Sequence, residues 1–206
     1  MTNELLFGIA ESGVMNTDAD PPIPLETKFQ MVKESGVYDY FDKTPSRNSE
    51  KEYLRYSEKY DLPILAGGWF YVLGRDDELL LENLRIGGRL GSLVHNTQII
   101  MDHADGSLVS DEQVAEIYLK AFETGEETGC RPTFEVHVNM WSEDFRRIEK
   151  VADLVERRGI PFFITLDHSH VIFKIDNPRE QEVFNIRESI ENGDLVLDPL
   201  DRKSVV

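Results

Sequence analysis

Short apolar segments alternate with longer segments of helical periodicity along most of the 206-residue sequence. This alternation constrains the fold more than any other feature, because repeated strand–helix units produce a parallel sheet with helices packed against it. The predicted strands cover residues 5–9, 38–41, 64–72, 90–100, 133–138 and 162–166. We therefore expect an α/β protein with about six βα units, forming a single domain over residues 1–206.

The intervening segments carry apolar residues at the spacing of one helix face. The predicted helices cover residues 25–35, 49–60, part of 76–91 ending before Gly87-Gly88, 111–124, 143–158 and 179–191. The pattern is clearest in 111–124, where Val114, Ile117 and Tyr118 begin an i, i+3, i+4 series. Ser110 and Gln113 before it predict a capping box. Gly36 and Gly159 predict helix ends.

Two parallel architectures remain open at this point, a doubly wound open sheet and a closed (β/α)8 barrel. The strands are almost continuously apolar, as expected where both faces of a sheet are covered. A dinucleotide-binding sheet would carry a G-x-G-x-x-G turn after its first strand. The glycine pairs Gly67-Gly68 and Gly87-Gly88 lack the third glycine and the strand–turn–helix context. A phosphate-binding loop is therefore not predicted.

Charge and cysteine content narrow the partners and the compartment. The formal net charge is -17, which opposes binding to a polyanionic backbone, so nucleic acid is not an expected partner. The single cysteine, Cys130, fits a reducing compartment, and we expect a cytoplasmic protein. No leader and no apolar window of roughly 18 residues is present, so we expect a soluble protein without a membrane partner.

Acids and histidines collect where the predicted strands end. The five histidines are His95, His103, His137, His168 and His170. Glu135 and His137 are two residues apart in the fifth strand and therefore share one face, and Asp167 follows the sixth strand. Ligands of parallel α/β folds bind at the carboxyl ends of strands. Glu135 and Asp167, on neighbouring strands, could reach one divalent ion of the Mn, Mg, Co or Zn type.

The segments FEVHVNMW and PFFITLDHSHV, separated by an amphipathic helix, resemble the fifth and sixth βα units of the xylose isomerase-like TIM-barrel superfamily, which includes sugar isomerases, sugar epimerases and the endonuclease IV group. The resemblance implies an incomplete (β/α)8 TIM barrel. It makes Glu135 and Asp167 metal ligands, and His170 the histidine of D-x-x-H. That histidine contacts the substrate in the sugar enzymes and the metal in the endonuclease branch, where His95 corresponds to a further ligand.

The resemblance also implies a function. We expect a divalent-metal-dependent isomerase or epimerase of a sugar or sugar-like polyol, with Glu135 doubling as the base and with His170, His95, His137 and Trp69 contacting the substrate. The family draws two further ligands from a seventh and an eighth strand, near whose start this sequence stops. The sequence is then a truncated barrel, and its open sheet edges predict association of identical copies.

Other interpretations of the same residues stay open. Glu135 could pair with Arg89 or Arg131, and Asp167 could cap the turn after the sixth strand. The histidines could be ordinary hydrogen-bonded residues, and Trp69 could fill a core. At the level of function, the alternatives are an endonuclease IV-like phosphodiester hydrolase and a non-catalytic remnant or assembly protein on the same scaffold.

Overall fold

A computed structural model describes residues 5–15 and 22–170 of the chain. The strands are β1 (Gly8–Ala10), β2 (Tyr40–Asp42), β3 (Ile64–Tyr71), β4 (Val94–Ile99), β5 (Arg131–Val136) and β6 (Ile164–Leu166). The α-helices are α1 (Leu25–Ser35), α2 (Glu50–Tyr60), α3 (Asp77–Leu90), α4 (Asp111–Thr128) and α5 (Phe145–Glu156). The predicted helix over 179–191 lies outside the described residues.

The six strands form one sheet in sequence order, from β1 to β6. Parallel pairing is seen between β1 and β2, where Ile9 is opposite Phe41. It is seen again between β5 and β6, where Glu135 is opposite Thr165. The predicted parallel sheet is thus confirmed. Because parallel strands expose their carboxyl ends at one edge, residues at the ends of β4, β5 and β6 lie at the same edge of the sheet.

The prediction that the third helix ends before Gly87-Gly88 was wrong. The helix continues through Gly87 and Gly88 to Leu90, so the predicted start of the fourth strand at residue 90 was wrong as well. A Cβ on Gly88 would stand 2.6 Å from the carbonyl oxygen of Thr128. The glycines therefore allow close packing against the end of α4 and the residues that follow it, and the left-handed Gly91 (φ 81°) follows the helix instead.

The fifth strand also ends earlier than predicted, at Val136 rather than Val138. The chain turns at Asn139, which has a left-handed backbone (φ 62°), and forms a short 3-10 helix over Trp141–Glu143. Helix α5 begins at Phe145, and the side chain of Asp144 accepts a hydrogen bond from the Arg146 amide. His137 therefore lies in the turn beyond the strand.

Chain contacts divide the protein into two compact units. The first comprises Met1–Trp69, Leu81–Asn96 and Glu123–Pro132. Its described core is built around Phe29 of α1, which stacks on Phe41 of β2 at a ring-centroid distance of 4.5 Å. Ile64, Ile86 and Tyr56 belong to the same buried cluster. An aromatic helix face thus covers the amino-terminal strands.

The second unit comprises Phe70–Leu80, Thr97–Phe122 and Thr133–Val206. Its described core centres on Tyr118 of α4, whose ring contacts Phe134 of β5 and Phe162 before β6. The Tyr118 hydroxyl donates to the carbonyl of Pro161 (2.8 Å) and accepts from the amide of Phe163 (2.9 Å). Within the described residues, no helix is long and apolar enough to cross a bilayer.

Candidate metal centre

Glu135 supplies a carboxylate from within β5, where its neighbours Phe134 and Val136 are buried. The side chain is only 5% exposed, and a buried carboxylate needs polar partners or a cation. Its Oε2 accepts a hydrogen bond from the side-chain amide of Gln98 in β4. The carboxylate is thus held in the sheet by the neighbouring strand.

His137 follows two residues later, at the turn that leaves β5. Its Nδ1 lies 2.5 Å from the carbonyl oxygen of Val138, and because a carbonyl only accepts, Nδ1 carries the proton in this contact. The lone pair of the neutral ring is then on Nε2. The hydroxyl of Ser142 accepts from the His137 amide (3.2 Å) and donates to the Glu135 carbonyl (2.6 Å), which fixes the turn.

Asp167 directly follows β6, and His170 lies in the helical turn of residues 168–170. Asp167 Oδ1 accepts from the amide (2.8 Å) and the hydroxyl (2.6 Å) of Ser169. Its Oδ2 lies 3.5 Å from Nε2 of His170. The predicted turn-capping role of Asp167 is therefore observed, together with a contact to the histidine three residues on.

The pKa of the Asp167 carboxyl is lowered despite partial burial. Burial raises the pKa, but the hydrogen bonds from Ser169 and the proximity of His170 outweigh this effect and lower it. The carboxylate is therefore ionised at neutral pH. It favours a proton on the near nitrogen of His170, which leaves Nδ1 as the potential ligand atom.

Glu135, His137 and His170 meet at the carboxyl edge of the sheet. In the described parts of the chain, their potential ligand atoms all lie within 4.8 Å of one another. The rings of His137 and His170 are in contact, with centroids 3.6 Å apart. One carboxylate and two imidazoles are a donor set that divalent metal ions use. The arrangement therefore fits a metal ion.

The structure brings together only part of the predicted site. Asp167 is next to His170 but is not a member of the three-residue group. His95 and Trp69 belong to the first unit. Within that unit Arg89, one of the alternative partners of Glu135, forms an ion pair with Glu50 at 2.7 Å.

The two first-unit residues differ in exposure. His95 is buried, its Nδ1 lies 3.3 Å from the hydroxyl of Thr44, and burial lowers its pKa to about 4. The imidazole is therefore neutral at physiological pH. Trp69 is 50% exposed at the end of β3, so it does not fill a core.

Two more residues contact the centre, and sequence reasoning missed the first of them, Gln98. Gln98 holds Glu135, and Phe70, which is 47% exposed, meets the ring of His137 edge-on at 6.3 Å. The amide side chain of Gln98 inside a predicted strand, one strand before a buried acid, was the available signal. Phe70, an aromatic residue near the end of a predicted strand, could line a sugar pocket on the sequence alone, although aromatic residues in strands usually fill cores.

Comparison with known proteins identifies the fold of the chain through solved structures. No model of a protein family matches the sequence, and no curated protein is significantly similar to it. The D-allulose 3-epimerase from Methylomonas sp., solved with D-allulose, has a TM-score of 0.61 and 14% identity, covering 84% of this chain and 66% of that chain. The 3-keto-D-glucoside 4-epimerase from E. coli has a TM-score of 0.61 and 14% identity, covering 94% and 77%.

An AP endonuclease of family 2 from Brucella melitensis is similar as well, with a TM-score of 0.56, 11% identity and coverage of 90% and 76%. The chain has the fold of these enzymes. The predicted α/β architecture of an incomplete TIM barrel, with six parallel strands among the described residues, is thereby confirmed. The chain spans 66% of the length of the Methylomonas epimerase, slightly less than two thirds. At these identities the likeness concerns the fold alone.

Proposed function

We propose that the protein is a divalent-metal-dependent isomerase or epimerase that acts on a small sugar or sugar-like polyol. The observation that carries the proposal is the buried Glu135 carboxylate with histidine nitrogens close to it at the carboxyl edge of the sheet. The edge is where parallel α/β enzymes place their chemistry. Solved structures with the same fold include epimerases of D-allulose and of a 3-keto-glucoside.

In this proposal Glu135 binds the ion and acts as the base. A divalent ion held by these residues would supply Lewis-acid polarisation of the substrate carbonyl, which would lower the cost of removing the adjacent proton. Glu135 would take the proton from the carbon beside that carbonyl and return it, on the same face, to the neighbouring carbon, which is an isomerisation. Epimerisation would require a separate proton donor on the opposite face. Gln98 holds Oε2 of Glu135 throughout, so the carboxylate keeps its position when it gains and loses the proton.

The remaining predicted residues have supporting roles. His170 is a ligand oriented by Asp167, whose carboxylate stands 3.5 Å from the other ring nitrogen. Direct ligation by Asp167 remains a prediction. His95 and Trp69 remain predicted substrate contacts. Phe70, half-exposed beside His137, offers an apolar surface to the carbon face of a sugar.

Proton exchange tests the proposed chemistry directly. In D2O with zinc, cobalt or manganese, we expect the protein to exchange a carbon-bound proton of a ketose, followed by NMR across a panel of ketoses. Glu135→Gln should abolish the exchange, and Glu126→Gln, an exposed acid on α4, should leave it unchanged. Metal binding without exchange of any ketose would favour the non-catalytic scaffold, and exchange retained in Glu135→Gln would contradict the role of Glu135.

A second candidate is an endonuclease-like phosphodiester hydrolase. Two imidazoles beside Glu135 and the likeness to an AP endonuclease favour it. The net charge of -17 opposes it, because each phosphate contact needs a positive charge. The sugar enzyme is therefore the first proposal.

Two further predictions belong to the same proposal. The first is a cytoplasmic location, which the free, buried thiol of Cys130 supports. The second is association of identical copies through sheet edges, which sedimentation velocity over a range of concentrations would test.

A further inference from the structure

His137 is a potential metal ligand that lies at the same strand end as Glu135. The family pattern that the sequence resembles does not include this residue among the metal ligands. The pattern matched there consists of Glu135 and Asp167, with His170 added in one branch. In this chain the ligand atoms of Glu135, His137 and His170 lie within 4.8 Å of one another. The structure therefore offers two imidazoles and one carboxylate where the pattern offers two carboxylates.

We propose that His137 is a ligand of the metal ion and that its imidazole makes the centre discriminate strongly for zinc or cobalt(II) against magnesium. The inference rests on the proposed function, since it requires an ion at Glu135. It adds a ligand and an ion preference that the proposed chemistry does not need.

Distances support direct ligation by His137. Donors that share one ion at about 2.1 Å are at most about 4.2 Å apart. Separations within 4.8 Å reach that value after a shift of about half an ångström. A change of this size needs only a small rotation of a half-buried side chain.

The orientation of the ring supports it as well. The Nδ1–H group of His137 donates to the Val138 carbonyl, which fixes the tautomer that presents Nε2. Metal-binding histidines characteristically donate their other nitrogen to a carbonyl or carboxylate in this way. His170 has the corresponding partner in Asp167. The edge-on contact with Phe70 limits rotation of the His137 ring.

The donor set determines the preference. Imidazole suits zinc, cobalt and iron, whereas magnesium prefers carboxylate, carbonyl and water oxygens. Replacing one carboxylate of the expected pair by two imidazoles therefore moves the centre towards zinc and cobalt. Three protein ligands would also leave part of the coordination shell open to a substrate.

Calorimetric titration of the full chain, stripped of metal by a chelator, tests the inference with zinc chloride and magnesium chloride as probes. We expect the wild type to bind one zinc ion and His137→Ala to bind zinc at least about 100-fold more weakly. Every site prefers zinc to some extent, so the decisive quantity is the zinc-to-magnesium affinity ratio. This ratio should fall by at least about tenfold in His137→Ala. His168→Ala, which changes an exposed histidine on the same turn as His170, should retain the wild-type ratio.

A second readout protects the test against misfolding. Thermal denaturation without metal should show that His137→Ala and His137→Gln are folded. The visible absorption spectrum of the cobalt(II)-loaded protein should shift in both of these variants. It should not shift in His168→Ala. Zinc affinity within about threefold of the wild type in His137→Ala, or an unchanged affinity ratio, would overturn the inference. If in that case Glu135→Gln still abolished binding, the proposed function would stand. Absence of binding by the wild type would overturn both.

Discussion

Glu135 is the residue on which the proposed chemistry depends, and its environment explains how the fold tolerates it. The side chain is 5% exposed between two buried apolar neighbours. A carboxylate in such surroundings is costly unless it is hydrogen-bonded or bound to a cation. Gln98 supplies the hydrogen bond, and a metal ion would supply the positive charge.

Gln98→Leu should therefore weaken metal binding, although the residue is not itself a ligand. Loss of the amide that orients a ligand costs about 10-fold to 100-fold in metal affinity. We expect a fall of about tenfold for zinc, measured by calorimetry. Gln30→Leu, an exposed glutamine on α1, is the matched control. Equal zinc affinities of the two variants would show that Gln98 does not position Glu135.

His95 predicts a pH dependence of stability. Burial lowers the pKa of its imidazole from 6.5 to about 4, so between these values the unfolded chain binds more protons than the folded one. Stability is complete above pH 6.5 and is lost as the pH falls towards 4. Each pKa unit corresponds to about 1.4 kcal/mol, so the loss is about 3 kcal/mol.

His95→Gln should remove this loss, because glutamine can hydrogen-bond Thr44 but does not titrate. Urea unfolding between pH 4 and pH 7 measures the slope. The variant should show a flatter dependence of its free energy of unfolding than the wild type, and His168→Gln should behave like the wild type. Parallel curves for wild type and His95→Gln would contradict the buried, neutral imidazole.

At the scale of elements, the sequence predicted which segments form strands and helices but not where several of them end. The capping box before α4 is present, with Ser110 donating its amide to Gln113 and accepting in return. Gly36 ends α1 in a left-handed conformation, as expected. These signals are local, because a cap is satisfied by residues three or four positions apart.

The wrong boundaries have a different cause. Gly88 reads as a helix end in the sequence, yet it is a contact point between α3 and Thr128, forty residues later. Contacts between residues distant in sequence also limited the prediction of the candidate metal centre. The face shared by Glu135 and His137 was predictable from strand alternation, but the turn at Asn139 and the partners Gln98 and Val138 depend on tertiary contacts.

Gly88→Ala tests the packing of α3. In an exposed helix this substitution stabilises by up to about 1 kcal/mol. Here the new Cβ would meet the Thr128 carbonyl at 2.6 Å, so we expect destabilisation of about 1–3 kcal/mol in urea unfolding. Glu126→Ala, at an exposed position of α4, should be nearly neutral. Stabilisation by Gly88→Ala would mean that α3 and the end of α4 are not in close contact.

At the scale of the whole molecule, charge distinguishes the two enzyme proposals. The chain carries 39 acidic and 22 basic residues, which repels a phosphate backbone. We expect no measurable binding of an abasic DNA duplex at physiological salt in a fluorescence anisotropy titration. An undamaged duplex of the same length is the control. Selective binding of the abasic duplex would favour the endonuclease-like hydrolase.

The fold alone does not decide function, because one scaffold carries both sugar epimerases and an AP endonuclease among the solved structures. Metal at Glu135 is the claim that both enzyme proposals need. Crystals of the zinc-loaded protein, measured at the zinc absorption edge, test it most directly. We predict one anomalous peak about 2.0–2.2 Å from the Glu135 carboxylate and from ring nitrogens of His137 and His170. A zinc-saturated crystal with no peak among these three residues would contradict the account.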